Sequence, residues 1–284
     1  MTTPRPAGRP RPAPMRVTVA RAQWLAPRMR RITFAGPELA RFAWPGPGSH
    51  FKVVIPEPGA ALVLPEPDAE GMVRYDPAVP LTMRTYTPRA LRPAGPAGVP
   101  EIDVDFVVHG HGPAATWAAA VQPGDAAALG PARARYDLDP AAAGLLLGGD
   151  ESAVPAIGTI LAARPAGLPA RVYLEVHDES DQPALAEAGD PAVSVTWLVR
   201  TGAGTGTAAP GDLLATALRA AGTGDGTRVW VGCEAHVVRG IRRDLLDRGV
   251  PREAMVTRGY WRTGVANHPD GDYGDGEIPT RAAN

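Results

Sequence analysis

The 284 residues, 44% hydrophobic and 21% charged, have the balance of a globular chain and exclude a fibrous or membrane-embedded class. A formal net charge of −1 gives no overall pull toward nucleic acid or an anionic lipid surface, so any anion site must be local. The single cysteine, Cys233, excludes an intramolecular disulfide and a cysteine-rich metal or iron–sulfur site, and reads as a small buried residue.

No run approaches the roughly 18–20 apolar residues needed to cross a bilayer, and the N-terminus lacks the apolar core of a signal peptide. The expectation is a soluble cytoplasmic protein without membrane insertion. Residues 1–14, rich in Pro, Arg, Ala and Thr, read as a disordered leader, and residues 265–284, with Asp270, Asp272 and Asp275 among glycines, as a second tail. Length and pattern divide the rest into two domains, 15–140 and 141–264.

In the first domain short apolar stretches are separated by Pro and Gly: Arg16–Leu25, Arg30–Phe34, His50–Ile55, Arg84–Thr87, Ile102–Val108 and Ala126–Leu129. This spacing predicts a small antiparallel β-barrel. Ile102, Val104 and Phe106 alternate with Glu101, Asp103 and Asp105, predicting a strand with one wet face. The Pro/Gly-rich segment 56–80 reads as an inserted loop.

Arg84-Thr85-Tyr86-Thr87-Pro88-Arg89 places cations beside an aromatic ring on a strand, as a flavin with a diphosphate tail requires. An edge strand with solvated or paired arginines is the plainer alternative. Directly after the alternating strand, His109-Gly110-His111-Gly112-Pro113-Ala114-Ala115-Thr116-Trp117 forms a glycine-rich turn into a helix, whose first amides and positive dipole end suit phosphate oxygens. Taken alone, Trp117 reads as core. His109 and His111 lack the companions of a metal site.

After Asp139 apolar strands at 145–147, 172–176, 193–199 and 229–231 alternate with helical segments, predicting an α/β doubly wound parallel sheet. The clearest helix is Glu234–Arg248, with Val237, Ile241 and Leu245 on one face and Gly249 as its stop. Gly148-Gly149-Asp150-Glu151-Ser152 reads as a strand, a tight turn and a Ser152 cap before a helix with Pro155 in its first turn, a place where nucleotides sit in open α/β folds. It is not a Gly-x-Gly-x-x-Gly fingerprint, and Asp150 and Glu151 repel a pyrophosphate.

These motifs, with the Glu175-Val176 strand end, Trp230–Ala235 and Tyr260-Trp261-Arg262-Thr263-Gly264, resemble the siderophore-interacting protein family of FAD-dependent ferric-siderophore reductases over about residues 15–264. The resemblance implies a ferredoxin-reductase-like architecture, with FAD in the barrel, Arg84, Thr85, Tyr86 and Thr87 at the flavin, and His109, Gly110, Gly112, Pro113, Ala115, Thr116 and Trp117 near its diphosphate and adenine. It also implies NADPH or NADH at the second domain, near Asp150, Glu151 and Ser152, as the donor for an NAD(P)H-dependent oxidoreductase.

A flavin accepts a hydride's two electrons together and passes them to iron singly, and ferrous iron is held less tightly by hard oxygen donors. No protein acid, base or nucleophile is required, so no catalytic residue is assigned. Lys52, the only lysine, Arg133 (or Arg135) and Arg262 are candidates for holding an anionic ferric siderophore. Alternatives are a ferredoxin donor, a general flavin reductase, and a non-enzymatic siderophore or flavin carrier.

Overall fold

The computed structural model describes residues 11–57, 59–76, 79, 81–110, 112–133, 136–202 and 206–265. The expected tails, 1–14 and 265–284, lie outside these apart from residues 11–14 and 265. Residues 11 and 12 of the leader are ordered: Arg11–Pro12 pairs antiparallel with Met72–Val73 of the long loop, so each supplies the other with backbone partners. The chain divides into two compact units, Met1–Arg135 and Tyr136–Asn284.

The first unit contains strands β1 (Met15–Ala26), β2 (Met29–Ala35), β3 (Phe51–Pro56), β4 (Leu81–Tyr86), β5 (Pro88–Arg92), β6 (Glu101–Val107) and β7 (Ala126–Leu129), with helix α1 (Pro113–Ala120) between the last two. They form one sheet in the order β4-β3-β7-β1-β2-β6-β5, and every pairing is antiparallel. The outermost strands β4 and β5 are separated in sequence only by Thr87. The chain therefore steps from one edge of the sheet to the other in a single residue, which demands that the sheet curl until its edges meet. Register shifts in the β1–β2 and β5–β6 pairs supply local bending. Phe34, Phe51, Ile102, Val104, Phe106 and Leu129 fill the interior.

The alternation of β6 is present, but its second face is not wet. Glu101, Asp103 and Asp105 are only 2%, 6% and 6% exposed. β6 lies between β2 and β5, and long arginines from three strands lie across it: Arg21 grips Glu101 at 2.6 and 2.9 Å, Arg92 grips Asp103 at 2.6 and 2.7 Å, and Arg31 grips Asp105 at 2.6 and 2.8 Å. Arginine stems cover surface while their heads pair with the acids. The Arg21 hydrogen bonds hold the Glu101 carboxyl below its ordinary range. Burial opposes ionisation of Asp103, and bonds from Arg92 and Thr33 outweigh it.

The second unit contains β8 (Gly144–Asp150), α2 (Val154–Ala163), β9 (Ala170–Val176), β10 (Val193–Val199), α3 (Asp212–Ala220), β11 (Thr227–Glu234), α4 (Ala235–Asp247) and β12 (Met255–Trp261). The sheet runs β10-β9-β8-β11-β12, all parallel. From β8 the chain winds outward to β10, then crosses back to β11, leaving a topological switch point between β8 and β11. In α4, Ile241 and Leu245 are buried as the pattern predicts, but the valine that joins them is Val238, while Val237 is only half-buried; Gly249 follows at φ 83°. Cys233 is buried, as its composition suggested.

Candidate functional site

β4 pairs with β3 in the register Phe51↔Tyr86, Lys52↔Thr85, Val53↔Arg84. Residues directly opposite share a face, so Arg84 and Tyr86 lie on the side of Phe51 and Val53, while Thr85 lies with Lys52 on the other. Tyr86 packs its ring 4.1 Å from that of Phe106, and burial pushes its phenol well above the ordinary range, so it stays a neutral hydroxyl. Arg84 is half-buried. Its guanidinium donates to the Met83 carbonyl at 2.9 Å and meets no carboxylate among the described residues.

Thr87 is the buried corner between β4 and β5, and Pro88 is paired with Val104 of β6. β6 in turn leads through His109 and Gly110 into α1. The Arg84–Thr87 motif and the glycine-rich turn, about twenty residues apart in sequence, thus end on adjoining strands. His109 is exposed, and His111 lies outside the described residues.

α1 begins unusually open. Gly112 stands at its start with φ 86°, no side chain caps it, Pro113 follows, and its first turn holds no acid. The first bond of the helix runs from the Thr116 amide to the Gly112 carbonyl, so the amides of Ala114 and Ala115 precede the bonded ladder. A Cβ placed on Gly110 would meet nothing within 4 Å. Trp117, one turn on, lies parallel to Phe34 at 6.3 Å and 5.8 Å from Phe106, the core packing its sequence context favoured.

At the other end of α1, the buried Arg30 donates to the carbonyls of Ala118 at 2.8 Å, Ala119 at 2.7 Å and Val121 at 3.1 Å. A cation on the C-terminal carbonyls anchors the helix and matches its dipole. Sequence reasoning did not find Arg30, because an arginine in a strand carries no sign of the helix it will cap. A guanidinium with no carboxylate among the described residues, a neutral aromatic ring and an open helix N-terminus lie in one unit. This donor set fits FAD: an isoalloxazine against Tyr86 and Thr87, and a diphosphate on Arg84 and the α1 amides.

Of the three candidate substrate cations, the structure brings two together. His50 bridges Arg133, the Gly130 amide donates to the Lys52 carbonyl at 2.8 Å, and the Lys52 ammonium donates to Thr85 Oγ1 at 2.6 Å. Arg135 lies outside the described residues. Arg262 belongs to the second unit, half-buried, at the turn that closes on Val265 after β12.

In the second unit the cap at the Gly148–Ser152 turn is Asp150, not Ser152. Asp150 Oδ1 accepts from the Ser152 amide at 2.9 Å and from its hydroxyl at 2.5 Å. β8 extends through both glycines to Asp150, which places the aspartate, two residues before Ser152, at the helical start. The glycines serve packing here: a Cβ on Gly149 would come within 2.4 Å of Ala153 Cβ and 2.8 Å of the Gly232 carbonyl. Asp150 Oδ2 also accepts from Trp261 Nε1 at 2.7 Å, reaching across β11 to β12.

Two further residues complete this edge. Glu175, fully buried at the end of β9, accepts from the Gly211 amide at 2.6 Å and the Leu214 amide at 2.9 Å, at the start of α3. Arg200 bonds Glu151 at 2.6 Å and Glu175 at 3.1 Å.

Burial, then the Glu151 charge, raise Asp150 to about 6 despite its bonds from Ser152 and Trp261. A raised folded-state value gives stability that is full below the ordinary aspartate range and lost as pH rises through about 6. Denaturation of wild type and Asp150→Asn should therefore show a difference that shrinks by about 2–3 kcal/mol between about pH 4 and 7. Parallel pH profiles would show that Asp150 titrates normally.

Among the described residues no helix is long and apolar enough to cross a membrane, and no group of three or more His, Cys, Asp or Glu could hold a metal ion.

Comparison with known proteins agrees with this geometry. Residues 18–135 match the siderophore-interacting FAD-binding domain family, and residues 142–264 match the siderophore-interacting protein family. The chain is 34% identical over 189 residues to the ferric vibriobactin reductase ViuB of Vibrio cholerae, covering 66% of this chain and 67% of that protein. It is 32% identical over 254 residues to the mycobactin import ATP-binding/permease protein IrtA of Mycolicibacterium smegmatis, covering 88% of this chain but only 26% of that protein. The chain thus spans about a quarter of that relative's length. A siderophore utilization protein from T. fusca superposes with a TM-score of 0.77 at 30% identity, over 95% of this chain and 98% of that one. Phthalate dioxygenase reductase shares the fold, with a TM-score of 0.59 at 14% identity over 90% of this chain and 70% of that one.

Proposed function

Because the chain belongs to the siderophore-interacting protein family, we propose that it is a cytoplasmic oxidoreductase that reduces ferric siderophore complexes through bound FAD, drawing electrons from NADPH or NADH and releasing ferrous iron. The observation that carries this reading is that Arg84, Tyr86 and Thr87 share one unit with the uncapped start of α1, Tyr86 packing on Phe106 of the strand that leads into that helix. The similarity to a ferric vibriobactin reductase supports the reduction of a siderophore-bound iron.

Bound FAD supplies the exchange between a two-electron donor and a one-electron acceptor, so two ferric complexes are reduced for each hydride taken up. The chain's own residues bind and orient. Arg84 and the α1 amides would hold the diphosphate, and Tyr86 and Thr87 would position the flavin ring. Lys52 and Arg133 of the first unit attract an anionic chelate by charge, a pull that weakens with ionic strength, and Arg262 of the second unit is a further candidate cation.

Mixing the FAD-loaded protein anaerobically with NADPH, a ferric siderophore and a ferrous-specific chelator tests the reaction directly. Ferrous product at a rate that depends on protein concentration is the expected result. FAD that is bound yet never yields ferrous product would make the protein a carrier. Lys52→Glu should raise KM for an anionic ferric siderophore about fivefold or more, the size of a lost and reversed surface charge contact, while the donor bleaches the flavin as before. An unaltered KM and salt dependence would place the chelate elsewhere.

A further inference from the structure

The first helical segment after each of β8, β9, β10 and β11 starts on a carboxylate of this chain. Asp150 caps the turn that opens α2, at 2.9 Å from the Ser152 amide. Asp178 caps the short turn after β9, at 3.0 Å from the Ser180 amide. Glu175 holds the Gly211 and Leu214 amides of α3 at 2.6 and 2.9 Å. Glu234 holds the His236 and Val237 amides of α4 at 2.6 and 3.2 Å. Asp150, Glu175 and Glu234 are at most 5% exposed.

These amides lie at the carboxyl edge of a doubly wound sheet, where a dinucleotide places its pyrophosphate. Here they are already bonded to carboxylates, which are buried at all but Asp178. A pyrophosphate would have to displace those carboxylates, leaving them unpaired in the interior, or sit beside them against their charge. Arg200 does not offset this, because its guanidinium is committed to Glu151 and Glu175 at 2.6 and 3.1 Å. Gly149, where a phosphate-binding turn needs open space, faces Ala153 and Gly232 instead. In the first unit α1 has the opposite character, with no side-chain cap and no acid in its first turn.

Building on the reading of NADPH or NADH as donor, we infer that the second unit takes a dihydronicotinamide without binding the donor's phosphates. The recognised part is the dihydronicotinamide and its ribose, and NADPH, NADH and phosphate-free dihydronicotinamide riboside are equivalent donors. In each case the hydride leaves ring carbon C4 with its electron pair and passes to FAD, the donor becomes the pyridinium cation, and the flavin takes one proton from solvent.

Two measurements on the FAD-loaded protein, whose α1 terminus is then occupied, test this. Calorimetric titration with ADP-ribose and with 2′-phospho-ADP-ribose should show dissociation constants weaker than about 1 mM, the level at which binding free energy falls to about 4 kcal/mol. A tighter constant for either compound would overturn the inference. Stopped-flow bleaching should give second-order constants for the three donors that agree within about tenfold, the least a charge-assisted phosphate contact would contribute. A larger preference for either dinucleotide over the riboside would equally overturn it. If none of the three donors bleaches a flavin that dithionite does bleach, the reading of NADPH or NADH as donor fails, and the ADP-ribose titrations alone decide whether the edge is closed to phosphate.

Discussion

Arg84→Ala should weaken FAD binding by about tenfold to a hundredfold while leaving the barrel folded. A charge-assisted hydrogen bond contributes about 1.5–3 kcal/mol, and an arginine on a diphosphate makes at least one. The fold should tolerate the change because, among the described residues, the Arg84 guanidinium bonds only the neighbouring Met83 carbonyl, at 2.9 Å, and no carboxylate is orphaned by its loss. Arg92 is the contrasting case: it bonds both Glu101 and Asp103, so its removal would strip buried acids of their partner. Flavin fluorescence titration of the apoprotein reads the affinity, and far-ultraviolet circular dichroism reads the fold. Tyr86→Phe serves as the companion variant, since it keeps the ring on Phe106 and removes only the hydroxyl. A dissociation constant for Arg84→Ala equal to that of wild type would place the diphosphate elsewhere.

What was legible in the sequence was what depends on near neighbours. Apolar spacing located most of the strands, period-two alternation oriented Ile102, Val104 and Phe106, and the face of α4 could be read with its glycine stop. Less legible was what depends on a distant partner. The acids of β6 read as solvent-facing because polarity was visible, whereas the arginine covering Glu101 comes from β1, 80 residues earlier. β5 was missed because Pro88 and Arg89 read as the end of a binding motif, and its pairing on β6 follows only once the sheet has curled.

The two glycine-rich turns show the same limit at the candidate sites. The two turns look alike as strings, yet Gly110 opens on space and Gly149 on Ala153 and Gly232. The difference is made by what packs on β8: Leu218 of α3 over Gly148, and Ala153 with the Gly232 carbonyl of β11 over Gly149. Asp150, Glu151 and Ser152 were singled out for a cofactor, and the structure commits Asp150 to a cap and Glu151 to Arg200. Glu175 left a usable signal: a carboxylate at the end of an apolar parallel strand must be satisfied by something, and a following helix start is the nearest source of donors.

Glu175→Ala should cost the second unit about 3–5 kcal/mol, the range for removing one partner from a buried charged cluster. Glu175 is fully buried at the end of β9, which lies between β8 and β10. Its loss would leave the Gly211 and Leu214 amides without their acceptor and Arg200 with Glu151 as its remaining acid. Truncation to alanine also leaves a void where α3 is pinned to the sheet edge, so the helix loses both its cap and its anchor. Glu175→Gln keeps one carbonyl acceptor but turns an NH2 group toward a donor, and should fall between wild type and alanine. The FAD donor set lies wholly in the first unit, so flavin affinity should change little in either variant. Scanning calorimetry followed in parallel by flavin fluorescence distinguishes the units: the transition that does not release flavin should move down in temperature. A Glu175→Ala protein whose transitions all stay in place would mean that α3 is held by its apolar face, Leu214 and Leu218, and that the carboxylate contributes nothing net.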